Sequence, residues 1–318
     1  MSETASITYS IVIPIYKNAD GISHLLAALS ALDFSEAVVE VVFVVDGSPD
    51  SSFDLLRSAL PGFRYKWQLL ELSRNFGSFT AIRQGLACAR GANFAVIAAD
   101  LQEPPELLQE FFRALSEDRA DVVIGVRAGR DDPVLTSFSS RLFWRLYRFF
   151  VMKEVPVGGV DVFGCNRVFR DALLSLKERN NFLIGQLFWI GFRRVEVPYR
   201  RRARQIGRSA WTVWRRLDYM LDAIFSFSDL PIKLLMLIGI LGSLAATIAG
   251  LVIVFAWLTG WITVKGYAPI MLAIAGLGSL LTLGQGILGY YIWRIAEDAR
   301  QRPPTFIARH LKGEAVEL

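Results

Sequence analysis

Ala98-Ala99-Asp100-Leu101-Gln102-Glu103-Pro104-Pro105-Glu106 decides how the chain is read, because the apolar run Phe94 to Ala98 meets acidic and amide side chains and then two prolines. In an open α/β sheet, ligands sit beyond the carboxyl ends of the strands, so Asp100 and Gln102 would face a cleft. The same residues also suit an ordinary helix start, with prolines near the first turn and Glu106 answering the helix dipole. The segment alone leaves both open.

Working outward, the preceding residues repeat the pattern. Ser10 to Ile15 is a short β-branched strand, and Ile22 to Leu32 has helical spacing. Val38 to Val45 closes on Asp46-Gly47-Ser48-Pro49-Asp50, with a helix expected from about Ser51. Trp67 to Leu72 leads to Ser73-Arg74-Asn75-Phe76-Gly77 and a helix through Ala89. Four βα units in succession predict a parallel sheet with right-handed crossovers. That arrangement places Pro14, Asp46, Arg74 and Asp100 along one edge, the expected ligand site. Asp121 to Val126 reads as a further strand, followed by Arg127.

The pattern then changes. Arg141, Arg145 and Arg148 share one side of the stretch Arg141 to Lys153, opposite a broad apolar face. Such a helix (about 137–153) packs either on the sheet or at a bilayer interface, and its aromatic bulk and basic rim favour the interface. Trp211 to Phe227 repeats the mixture just before Pro231, giving a second interfacial helix at 211–230. Between them, Gly158-Gly159-Val160-Asp161-Val162-Phe163-Gly164 sets one carboxylate among glycines, as a turn or as a functional acid.

At 318 residues the chain can bury a sizeable core, but its hydrophobic excess lies near the C-terminus. Leu234 to Leu258 and Gly266 to Trp293 carry no charged residue, and each exceeds the roughly 20 apolar residues that span a hydrocarbon core. The expectation is two transmembrane helices within 231–296. The link Thr259 to Lys265 holds one basic residue, whereas Arg294, Arg300, Arg302, Arg309 and Lys312 follow the second run, which puts both flanks inside. Met1 to Tyr9 lacks the features of a signal peptide, so a catalytic domain at 1–210 and a tail at 297–318 are both expected in the cytoplasm. The net charge of +5 and the arginine-rich run Arg193 to Arg216 beside these spans point to anionic headgroups or a phosphorylated lipid, and no nucleic acid partner is expected. Cys88 and Cys165 have neither metal nor redox spacing and are expected as reduced thiols.

Together the motifs resemble glycosyltransferase family 2, in its polyprenyl-phosphate branch related to dolichol-phosphate mannose synthase. The resemblance rests on Ser10-Ile11-Val12-Ile13-Pro14-Ile15-Tyr16, Val45-Asp46-Gly47-Ser48-Pro49-Asp50, Leu72-Ser73-Arg74-Asn75-Phe76-Gly77 and Asp100-Leu101-Gln102-Glu103-Pro104-Pro105-Glu106. The two apolar runs and Arg302-Pro303-Pro304 resemble the bacterial undecaprenyl-phosphate members. The resemblance implies a GT-A (Rossmann-like) α/β domain that transfers a sugar, with inversion, from a nucleotide sugar, usually a UDP-sugar, to a lipid phosphate. It assigns the nucleotide sugar to Pro14, Tyr16, Asp46, Ser48, Arg74, Asp100, Arg202 and Ser209, and a Mg²⁺ or Mn²⁺ ion to Asp100 and Gln102. It assigns the lipid phosphate to Arg127, Ser139 and Arg141, and a catalytic role to Asp161. Arg202, Arg204, Gly207 and Ser209 resemble a basic loop that closes over the diphosphate. It further implies a multi-pass protein of the bacterial inner (plasma) membrane, serving cell-envelope or lipid and O-antigen glycans, and allows a homo-oligomer.

This chain departs from the pattern at several points. Ala98 stands where the family's first metal-site aspartate belongs, Asn18 replaces a glutamate, Ala210 replaces a lysine, and Val162-Phe163 replace Phe-Arg. Two function classes follow: an active lipid-phosphate glycosyltransferase, or a catalytically silent relative that binds nucleotide sugar or lipid phosphate for a partner enzyme. The retained acidic and basic residues favour the first.

Overall fold

The computed structural model describes residues 7–34, 37–129, 154–156, 160, 162–176, 183–202, 230–259, 261 and 267–315, with side chains at intervals in the last two helices also outside the description. Both expected interfacial helices, 137–153 and 211–230, fall outside these residues apart from Leu230. The chain divides into two units, Met1–Tyr219 with Pro303–Leu318, and Met220–Arg302.

The first unit is built on an eight-stranded mixed sheet. Its strands are β1 (Tyr9–Ile15), β2 (Val39–Val45), β3 (Lys66–Leu72), β4 (Asn93–Val96), β5 (Val122–Gly129), β6 (Phe163–Asn166), β7 (Arg194–Arg200) and β8 (Ile307–Gly313). Their spatial order is β7-β5-β6-β4-β1-β2-β3-β8. β1 pairs parallel with β2 and β4, β2 with β3, and β5 with β7. β6 lies antiparallel between β4 and β5, and β8 runs antiparallel along β3. The four expected βα units are therefore present. Phe163 and Gly164, which end the glycine-rich stretch read as a turn or a functional acid, begin an inserted antiparallel strand, and residues 297–318, expected as a tail, carry β8.

β2 is buried at every position, as a central strand covered on both faces must be. The helices α1 (Ile22–Ser30), α2 (Ser52–Ala59), α3 (Ser78–Cys88) and α4 (Leu107–Ser116) follow the first four strands. α4 buries Leu107, Leu108, Phe111, Phe112 and Leu115 on one side, the spacing of a helix packed on a sheet. Two later helices, α5 (Arg167–Ser175) and α6 (Leu183–Trp189), are locked to α3 through reciprocal caps. Arg83 of α3 donates to the carbonyl of Leu173 at 3.0 Å and to Gln186 Oε1 at 3.0 Å. Arg170 of α5 donates to the carbonyl of Ala89 at 3.1 Å, just past the end of α3. Each arginine satisfies carbonyls that a helix end leaves unpaired, and its charge opposes the negative end of the dipole.

A polar ladder crosses four strands in the lower half of the sheet. Glu40 of β2 is fully buried and accepts from Ser10 Oγ at 2.7 Å, Gln68 Nε2 at 3.2 Å and Arg90 Nε at 3.0 Å. Gln68 also donates Nε2 to the carbonyl of Cys88 at 2.9 Å, which turns its Oε1 toward His310 Nε2 at 2.8 Å. His310 therefore carries its proton on Nε2. With the ion pair between Arg309 and Glu71, this contact fastens β8 to the sheet. Both thiols are free, and burial pushes Cys165 well above its ordinary pKa.

The second unit consists of α7 (Leu230–Leu258) and α8 (Tyr267–Ala299), 29 and 33 residues long. Within it Leu235 lies close to Gly284, and Leu280 to Gly242, so the two helices run antiparallel. Large apolar side chains such as Leu251, Phe255, Ile274 and Ile292 are more than half exposed. Taken over the described residues alone, interrupted as they are along both helices, no helix is long and apolar enough to cross a membrane.

Candidate functional site

Six strands, β1 to β5 and β7, point the same way, and their carboxyl ends form one edge of the sheet. Register fixes who stands there. Ile15 pairs with Val45, so Tyr16 and Asp46 leave their strands side by side, and Asp46 N donates to the carbonyl of Ile15 at 2.9 Å. Val12 pairs with Val96, which brings the segment after Ile97 up alongside Tyr16. Arg127 lies near the end of β5 opposite Tyr199 of β7, and Arg202 lies two residues past β7. The edge thus gathers Pro14, Tyr16, Asp46, Ser48, Arg74, Asp100, Gln102, Arg127 and Arg202. Asp161, Ser139, Arg141 and Ser209 lie outside the described residues.

Asp46 is 2% exposed and holds the neighbouring loop: its Oδ1 accepts from Phe76 N at 2.7 Å and its Oδ2 from Gly77 N at 2.8 Å. Burial raises its pKa above the ordinary carboxylate value, against the opposing pull of these two amides and of Arg74. The next residue, Gly47, has φ +53°, and a Cβ there would meet the backbone carbonyl carbon of Arg74 at 2.1 Å. Only a glycine permits this approach. Arg74 itself is exposed, with its guanidinium 4.2 Å from the centre of the Phe76 ring.

Ser48 joins two turns. It accepts from Lys17 N at 2.8 Å and donates to Asp50 Oδ1 at 2.6 Å, while Asp50 Oδ2 accepts from Ala19 N at 3.0 Å. Burial raises the Asp50 pKa less than these hydrogen bonds, with that from Ser52, lower it, so the carboxyl stays below its ordinary value. Asn18 donates to the carbonyl of Ala99 at 3.1 Å, tying the turn after β1 to the segment after β4.

That segment is strained and strapped. Leu101 has φ +52°, a left-handed conformation unusual for a branched side chain. Asp100 Oδ1 accepts from Gln102 N at 3.3 Å. Arg201 donates to Gln102 Oε1 at 2.7 Å and pairs with Glu103, only 1% exposed, at 3.3 Å. Arg202 N donates to the carbonyl of Gln102 at 2.8 Å. Arg201 and Glu103 were not among the expected site residues.

Asp100 offers a half-buried, hard carboxylate oxygen at this edge and fits a divalent cation; the Gln102 amide oxygen already serves Arg201. Among the described residues no group of three or more His, Cys, Asp or Glu is placed to hold a metal. A carboxylate edge surrounded by Arg74, Arg127 and Arg202 is suited to a phosphorylated ligand and a counter-ion, the chemistry of a nucleotide-dependent transferase.

The description "Glycosyl transferase family 2" matches residues 10–176, and the chain belongs to that family. It is a glycosyltransferase. It is 32% identical to an uncharacterized glycosyltransferase of Synechocystis sp., over 94% of each chain. It is 29% identical to the undecaprenyl-phosphate 4-deoxy-4-formamido-L-arabinose transferase of Klebsiella pneumoniae, over 94% of this chain and 92% of that one. A prophage-derived bactoprenol glucosyl transferase of Shigella flexneri is 28% identical over 96% and 98%.

Proposed function

We propose that this glycosyltransferase moves a sugar, with inversion, from a UDP-sugar to undecaprenyl phosphate or a similar polyprenyl phosphate at the cytoplasmic face of a bacterial inner membrane, for cell-envelope glycans. The observation that carries the reading is the convergence of Tyr16, Asp46, Arg74, Asp100, Arg127 and Arg202 at one sheet edge. Family membership and two polyprenyl-phosphate relatives support the acceptor.

The chemistry divides among these residues. The leaving nucleotide diphosphate needs its charge neutralised, and Arg202 with Arg74 supplies donors for it. A Mg²⁺ or Mn²⁺ ion at Asp100 would bind chiefly through phosphate oxygens and polarise them. Arg127, with Ser139 and Arg141, would receive the acceptor phosphate. A phosphomonoester with a second pKa of about 6 is largely dianionic at neutral pH, so it hardly requires a general base. Asp161 would instead stabilise positive character at the anomeric carbon.

The membrane part of the proposal rests on α7 and α8. At about 1.5 Å per residue both exceed a hydrocarbon core of about 30 Å, and Leu251, Phe255, Ile274 and Ile292 are among their exposed side chains. The chain leaves the sheet unit before α7 and rejoins it at Pro303, so a pair of crossings agrees with its path.

The test is incubation of the full-length protein in nanodiscs with undecaprenyl phosphate and a panel of UDP- and GDP-sugars, with and without Mn²⁺. An organic-extractable glycolipid formed from one donor is the expected result. Nucleotide binding with no glycolipid from any donor would overturn transfer and leave the silent relative.

A further inference from the structure

Arg201 was not an expected site residue, yet three contacts around the Asp100 turn depend on the short segment it begins. A left-handed Leu101 is strained and persists only where neighbouring structure holds it. Here the neighbouring structure is the exit of β7. Arg201 Nη2 grips the Gln102 side chain at 2.7 Å, Arg202 N grips its carbonyl at 2.8 Å, and Arg201 Nε faces Glu103 Oε1 at 3.3 Å. Glu103 is anchored in the interior at 1% exposure, so the guanidinium is fixed from below by a buried charge and holds Gln102 from above. Gln102 N in turn donates to Asp100 Oδ1 at 3.3 Å. A continuous path therefore runs Glu103, Arg201, Gln102, Asp100.

We infer that Arg201 is a positioning residue: through Gln102 it sets the carboxylate of Asp100 in the orientation that takes the divalent cation and diphosphate. Ala98 sharpens the need. With no acidic side chain at that position, Asp100 is the single carboxylate among 98, 100 and 102, and loss of its orientation has no substitute. The inference rests on the proposed nucleotide-sugar chemistry. Partners that orient a metal-binding side chain are typically worth 10–100-fold in metal affinity.

The experiment titrates Mn²⁺ into the full-length protein with UDP present, reading free Mn²⁺ by electron paramagnetic resonance, and measures UDP binding separately in chelator. Arg201→Ala should raise the half-saturating Mn²⁺ concentration at least tenfold, with metal-free UDP binding within twofold of wild type. Arg201→Lys should recover part of the loss, because an ammonium can pair with Glu103 but lacks the fork that also holds Gln102. The single alanine change removes the cation beside the buried Glu103 carboxylate and can unfold the domain. The double variant Glu103→Leu with Arg201→Met removes both charges, keeps apolar volume, and should stay folded by thermal unfolding while showing the same Mn²⁺ defect. A folded single or double variant with a wild-type Mn²⁺ titration overturns the inference. Wild-type protein that binds no UDP and no GDP overturns the functional proposal itself, and the inference with it.

Discussion

Gly47→Ala puts the coupling between the β1–β2 edge and the Arg74 loop to a quantitative test. At φ +53° an alanine costs about 1–2 kcal/mol in backbone strain alone. Its Cβ would also stand 2.1 Å from the carbonyl carbon of Arg74 and 2.4 Å from Asn75 N, so the loop must retreat by more than an ångström to reach ordinary contact. Phe76 N and Gly77 N lie 2.7 and 2.8 Å from the Asp46 carboxylate, and that retreat takes them to the limit of hydrogen bonding. Each hydrogen bond to a charged group contributes about 1.5–3 kcal/mol, and losing one or both brings the total to roughly 2.5–8 kcal/mol. In a domain of this size that is a fall in thermal midpoint of roughly 5–30 °C. Gly191→Ala is the matched control: it also has positive φ, at +89°, but a Cβ there meets nothing within 4 Å. It should lose only the strain term, about 1–2 kcal/mol. Near-ultraviolet circular dichroism melts of both variants, with UDP binding by calorimetry, separate clash from strain. UDP affinity should fall at least tenfold in Gly47→Ala and stay within twofold in Gly191→Ala. Equal melting of the two variants, with wild-type UDP affinity in both, would refute the coupling.

Two further outcomes are expected. Asp161→Asn should lower turnover by a hundredfold or more, on the order of an electrostatic transition-state contact, with UDP affinity retained; normal turnover would remove Asp161 from the mechanism. His310 should make β8 sensitive to acid. Burial, then the charges of Lys312 and Arg90, hold its pKa below the ordinary imidazole value of about 6.5, so the folded state favours the neutral ring. The stability it contributes is present above that value and is lost as pH falls through the lower, folded value. His310→Gln can still donate to Gln68 but does not titrate. The wild-type thermal midpoint should therefore fall toward that of the variant between pH 7.5 and 5, and a constant gap would exclude the role.

Much of the fold was legible because local chemistry and tertiary demand agree. Val39 to Val45 is β-branched and buried on both faces, and the turns after β1 to β4 carry the polar residues that a sheet edge requires. β6 was missed for a physical reason: four residues, two of them Gly164 and Asn166, have little strand character and are paired only because β4 and β5 flank them. β8 was hidden in the same way, since Ile307 to Gly313 has mostly exposed side chains and takes its structure from β3. At the site, the described motif residues stand along one sheet edge, and Asp46 spends both carboxylate oxygens on Phe76 and Gly77. Sequence spacing cannot show which side a short acidic side chain turns toward. Arg201 was invisible because its partners, Gln102 and Glu103, lie nearly a hundred residues earlier.

The pairing of β3 with β8 also orders events during synthesis. Leu72 is made about 235 residues before Ile307, and both long helices are made in between. At translation rates of roughly 5–20 residues per second, the outer rim of β3 waits some 10–50 s for its partner. During that interval the sheet presents an unpaired strand edge, a template for mispairing with other chains. Arrival of β8 closes it, and the hydrogen bond from Ser73 N to the carbonyl of Phe306 fixes the start of the Arg74 loop at the same moment. The ligand edge is therefore completed only after the helical pair has been synthesised.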